Sequence, residues 1–113
     1  MKKLTLRNLN GKDYNLEMNR ETIKWLEANG FSIEDFEKKP ITYYDLLWTS
    51  LFMANHKDVN PNLAMKLMKT YEDSGKKPIR VIKFAIDEYQ SFMNALADIN
   101  SKENDEELEI IEA

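Results

Sequence analysis

The sequence has no cysteine, a single histidine, three glycines and three prolines. Without thiols there can be no disulfide framework, no thiolate metal site and no cysteine nucleophile. With one histidine, metal sites built from imidazoles and His-dependent triads are not expected either. Chemistry would have to come from carboxylates, Lys, Tyr, Ser or Thr. Also missing is a long apolar run: the longest stretch free of charge is Leu46 to His56, far short of the ~20 apolar residues that a membrane span requires. Met1-Lys2-Lys3 leads into alternating polar residues rather than the apolar core of a secretory signal. A basic excess is lacking as well, since 16 Lys and Arg stand against 20 Asp and Glu for a net charge of −4. These absences argue against most enzyme classes and predict a cytoplasmic protein with no cofactor, no metal, no nucleic-acid partner and no membrane contact.

What is present is unevenly distributed. From Lys102 to Glu112 there are six acids (Glu103, Asp105, Glu106, Glu107, Glu109, Glu112) and one base. This local −5 leaves +1 for the rest, where bases and acids are interspersed. The length of 113 residues fits one domain that buries roughly two-thirds of the surface its unfolded chain exposes. We expect a single globular domain over residues 1–99 and a flexible acidic tail over 100–113, too charged to bury anything except Leu108, Ile110 and Ile111.

The fold class expected is α+β, mostly α. Residues 2–18 alternate around Asn10-Gly11 and predict a β-hairpin. A two-residue Asn-Gly loop would split the apolar residues between two faces. A three-residue loop Leu9-Asn10-Gly11 instead pairs Asn8 with Lys12 and sets Leu6 opposite Tyr14 and Leu4 opposite Leu16, with Gly11 in the left-handed position. About four helices follow. Asn19 caps the first (about 20–29), which Asn29-Gly30 stops, with Phe31 placed for a Schellman contact. A short acidic turn at Ile33–Phe36 must end before Pro40. Thr42 and Asp45 have capping-box spacing for a second helix (42–56), apolar nearly all round and so placed at the centre with Leu47, Trp48, Leu51 and Phe52 in the core. Asn60-Pro61 opens the third (60–74), whose stripe is Leu63, Leu67 and Tyr71 and which Ser74-Gly75 ends. Pro78 opens the longest (78–99), where Ile79, Ile82, Ile86, Tyr89, Met93 and Leu96 form a heptad seam.

No motif carries chemistry. Gly11, Gly30 and Gly75 are explained by turns and caps. His56 reads as a helix C-terminal histidine, and the Glu34-Asp35 and Asp87-Glu88 pairs as solvated faces, because neighbours on a helix point about 100° apart. Lys76-Lys77 with Arg80 and Lys83 is the most basic cluster, which could touch an acidic partner segment but reads first as a solvated helix start. The seam residues Ile79, Ile82, Ile86, Tyr89, Met93 and Leu96, with Tyr43 and Tyr44, are the candidate partner-binding side chains. They belong to a soft apolar inventory that includes six methionines.

The hairpin followed by Met18-Asn19-Arg20, Ile23-Lys24, Leu26-Glu27, Gly30-Phe31, Lys39-Pro40-Ile41-Thr42, Leu46-Leu47 and Leu51-Phe52 resembles the tail assembly chaperones of long-tailed phages and prophages of Gram-positive bacteria. The resemblance covers roughly residues 1–99. It implies a non-enzymatic viral protein made in the host cytoplasm and absent from the mature virion. Such a protein binds the tape measure protein, keeps it soluble and helps recruit tail tube protein, in many phages through a longer frameshifted form of the same gene. A homo-oligomer is the expected state. The alternative is a small interaction module or regulator from a mobile element that binds a single host protein.

Overall fold

The computed structural model describes residues 2–103, with side chains described through Ala97. A two-stranded antiparallel sheet, β1 (Lys3–Leu9) and β2 (Lys12–Glu17), precedes four helices: α1 (Arg20–Ala28), α2 (Pro40–Met53), α3 (Pro61–Asp73) and α4 (Pro78–Glu103). A single 3-10 turn at Ile33–Asp35 links α1 to α2. No helix among the described residues is long and apolar enough to cross a membrane.

The hairpin satisfies two sequence signals that appeared to conflict. Leu4 lies opposite Leu16 and Leu6 opposite Tyr14, the register that puts all four on the core face. The loop, however, is the two-residue Asn10-Gly11 turn closed by Leu9 and Lys12, with both turn residues at positive φ (54° and 79°). The expected Asn8–Lys12 pair is therefore replaced, and the extra residue is absorbed by a bulge between Leu6 and Leu9. There Asn8 takes a left-handed φ of 54°, and its N–H donates to Asp13 Oδ1 at 2.8 Å. Asn tolerates this region better than most residues.

Helix α1 begins with a reciprocal capping box: Asn19 Oδ1 accepts from Thr22 N, and Thr22 Oγ1 accepts from Asn19 N. It ends in the expected Schellman motif, with Phe31 N donating to Leu26 O and Gly30 N to Glu27 O. Asn60 caps α3 by accepting from Leu63 N. Helix α2 starts two residues earlier than the capping-box reading placed it, because Pro40 sits at N1, where its missing N–H costs nothing. Thr42 and Asp45 form no cap there, and the helix ends at Met53 rather than 56. Helix α4 continues to Glu103, so residues 100–103, expected in the tail, are helical; the expected tail beyond them lies outside the described residues.

Helix α2 lies against α1, α3, α4 and β2. That position explains its near-uniform apolarity: Leu47, Trp48, Leu51 and Phe52 are all fully buried. The residues just after its C-terminal end also clamp the sheet. Asn55 Nδ2 donates to Asn15 O (3.2 Å) and Glu17 Oε1 (2.8 Å), while His56 Nε2 accepts from Asn15 N at 2.9 Å.

This clamp requires neutral His56. Burial first, then the nearby Lys12 ammonium, lower its pKa below 6.5, with Asp58 pulling weakly the other way. A depressed folded-state pKa stabilises the fold above the unfolded value, and that contribution disappears as pH falls through the folded value. Between about pH 7.5 and about pH 5 the wild type should lose more stability than His56→Gln, whose amide oxygen can still accept from Asn15 but cannot titrate. Urea titrations of both proteins at the two pH values check this. Equal losses would show that the clamp is not pH-sensitive.

Candidate functional site

Alpha-helical spacing places Thr42, Asp45, Leu46 and Thr49 on one stripe of α2, at i, i+3, i+4 and i+7. The stripe faces away from the fully buried side of the helix. Two side chains close it laterally: Trp25, on the flank of α1 beside its core residues Ile23 and Leu26, and Met65, one turn after Pro61 at the start of α3. Together they enclose an open groove of about 360 Å³ across three helices, within the size range of binding pockets. Trp25, Leu46 and Met65 are only half-buried, so their apolar faces are available from outside. Asn29 holds one end by donating from Nδ2 to Trp25 O at 2.8 Å.

The groove contains one carboxylate. Asp45 forms no ion pair among the described residues, and burial raises its pKa. The Thr49 hydroxyl is occupied by Asp45 O at 2.9 Å, which leaves mainly its methyl group to the groove. Beside the groove Ile41, one turn before Asp45, is 72% exposed. An apolar trough with a single unpaired acid suits an amphipathic helix that lays down apolar anchors and one base.

The other groups with displaced titration are dispersed. Tyr44 is raised by burial and then by Glu72 and Asp45; Tyr89 is raised by burial and then by Glu27 and Glu34; His56 belongs to the sheet clamp. Asp45 and Tyr44 are adjacent in sequence, whereas His56 lies beyond the C-terminal end of α2.

The structure divides the expected partner-binding set. Ile82, Tyr89 and Tyr43 are buried core residues; Phe31 packs edge-on to Tyr43 at 5.2 Å and to Tyr89 at 5.1 Å. Ile86, Met93 and Tyr44 are half-buried. Ile79 (54%) and Leu96 (38%) alone are well exposed among them. The core stripe of α4 is Val81, Ile82, Ala85, Glu88 and Tyr89, rotated from the heptad seam. Glu88, read from sequence as part of a solvated face, is buried, and its Oε1 accepts the Lys2 N–H at 2.7 Å. This bond ties the N-terminal end of β1 to the middle of α4.

Sequence reasoning did not single out the groove. The available signal was surplus: Trp25, Leu46 and Met65 are large apolar residues just off the core stripes of three different helices.

A two-stranded antiparallel hairpin followed by four helices, with an apolar groove across the first three, is the architecture in which these side chains are set. Residues 1–110 match the family described as a domain of unknown function, DUF5055, and the chain belongs to that family. No curated protein and no solved structure matches it.

Proposed function

We propose that this chain is a tail assembly chaperone that binds the tape measure protein of a phage or prophage, keeps it soluble and helps recruit tail tube protein during assembly. Recruitment would pass through a longer frameshifted form, and the protein would act as a non-enzymatic homo-oligomer in the host cytoplasm, absent from the finished virion. The observation that carries this reading is the open groove of Trp25, Leu46 and Met65 with Asp45 between them. A long, largely helical client needs apolar cover that can later be displaced. Half-buried side chains on a prefolded surface provide weak, repeatable contacts of that kind. The order of elements that resembles these chaperones supports the same reading.

Co-expression with the tape measure protein encoded in the same genome tests it. The expected result is a shift of the client from the insoluble to the soluble fraction, with both chains co-purifying. A client equally insoluble with and without this chain would defeat the proposal.

A further inference from the structure

The hairpin has one protected edge and one open edge. On β2, Asn15 directs its N–H to His56 and its C=O to Asn55, so both groups point away from β1 and are occupied. In an antiparallel ladder the directly opposite residue of such a pair also turns its backbone groups outward. That residue is Thr5, and Lys3 shares its direction. Among the described residues β1 pairs only with β2, leaving the Thr5 side as an unpaired strand edge.

A groove of about 460 Å³ runs along this edge. Four consecutive β1 residues, Leu4 to Arg7, line it, as expected for a groove along the edge, because consecutive strand residues face opposite sides. Its far wall is Tyr71, Phe84 and Arg80, with Lys76 held over the Tyr71 ring at 5.7 Å. Arg7, Lys76, Lys77 and Arg80 form no ion pair among the described residues. The floor is thus apolar, the rim is cationic, and backbone donors and acceptors lie along one side.

The sequence contains a segment of the complementary kind. Asp105 to Glu112 reads Asp-Glu-Glu-Leu-Glu-Ile-Ile-Glu, five acids and no base. In an extended strand Leu108 and Ile110 share one face while Glu107 and Glu109 share the other. The same copy cannot supply it. From Phe84, the groove residue nearest the end of α4, to Glu103 the helix measures about 28 Å, whereas a fully extended chain carries Ile110 about 25 Å beyond Glu103 and Leu108 less.

We propose that residues 105–112 of a second copy add as a strand to the β1 edge of the first, with Leu108 and Ile110 against Leu4, Leu6 and Phe84 and the glutamates beside Lys3, Arg7, Lys76 and Arg80. The contact is head-to-tail, the groove of one copy taking the segment of the next, so successive copies form a ring or an open series. This deepens the self-association part of the reading above and rests on it, but not on the identity of the client.

Sedimentation velocity of the full chain tests it without a client. The wild type should associate at low salt and dissociate in high salt, with affinity falling about tenfold or more. Arg7→Glu with Arg80→Glu, both at exposed positions, should remain monomeric, as should Glu107→Lys with Glu109→Lys. Mixing the two variants should restore assemblies that alternate them in equal proportion, because the reversed groove matches the reversed segment and the two unaltered surfaces match each other. Exchange of the Thr5 amide proton should slow in wild-type assemblies. A monomeric wild type, association that survives both reversals, no assembly on mixing, or an unprotected Thr5 amide in the assembly would each overturn the proposal. A monomer that still solubilises the tape measure protein would sink the head-to-tail contact and leave the chaperone reading standing; an assembling chain with no effect on that client would do the reverse.

Discussion

Trp48→Ala should remove ~3–5 kcal/mol of folding stability, a large share of the ~5–15 kcal/mol available to a domain of this size. Trp48 is fully buried on the central helix. Its ring lies 5.4 Å from Phe52 and 5.6 Å from Tyr71, and its Nε1 donates to Ala64 O at 2.8 Å, joining α2 to α3. Truncation loses the transfer energy of the indole and leaves a cavity that three packed elements cannot close. Trp48→Phe separates the terms: it keeps an aromatic ring and loses the hydrogen bond, for about 1 kcal/mol plus a smaller packing loss. Urea denaturation should show a lower midpoint with an unchanged slope in both variants, alanine far below phenylalanine. An alanine variant within about 1 kcal/mol of wild type would contradict the central placement of α2.

That placement was legible because α2 is apolar nearly all round, and the caps were legible because Asn19, Gly30, Asn60 and Gly75 act on their immediate neighbours. The hairpin was half legible. Alternation fixed Leu4–Leu16 and Leu6–Tyr14, and Asn10-Gly11 called for a tight turn, yet the two agree only through a bulge at Arg7-Asn8. Nothing local in the sequence compels a bulge; the Asn8 N–H finding Asp13 is its one nearby support. The α2 start was missed because the residue before proline is pushed out of the helix, while proline itself is favoured at N1; Lys39, non-helical at φ −137° and ψ 58°, and Pro40 at N1 satisfy the two rules together.

The seam on α4 shows a different limit. A pattern of large apolar residues spaced 3 and 4 identifies a helix and an apolar side, but not where the side's centre lies. Ala85 and Glu88 take core positions that size and polarity argue against. Glu88 can do so because the Lys2 N–H, 86 residues away in sequence, supplies its partner. The groove on α1, α2 and α3 was hidden for the same reason: Trp25, Leu46 and Met65 come together only when those helices pack.

This distinction between groove and seam gives the second large effect. Leu46→Gln with Met65→Gln should weaken binding of the tape measure protein about a hundredfold or more, returning the client to the insoluble fraction. Apolar anchors at the centre of a groove carry most of such an interface, and glutamine retains good helix propensity, so the fold should survive. Both positions are half-exposed, and circular dichroism with urea denaturation should show only a modest change in the variant. The control is Ile79→Gln with Leu96→Gln, which removes the two well-exposed members of the α4 seam. It should leave client solubility near wild type. If the seam variant loses the client and the groove variant keeps it, the client lies along α4, and the groove of Trp25 and Asp45 serves another purpose. If neither loses it, neither surface carries the interaction.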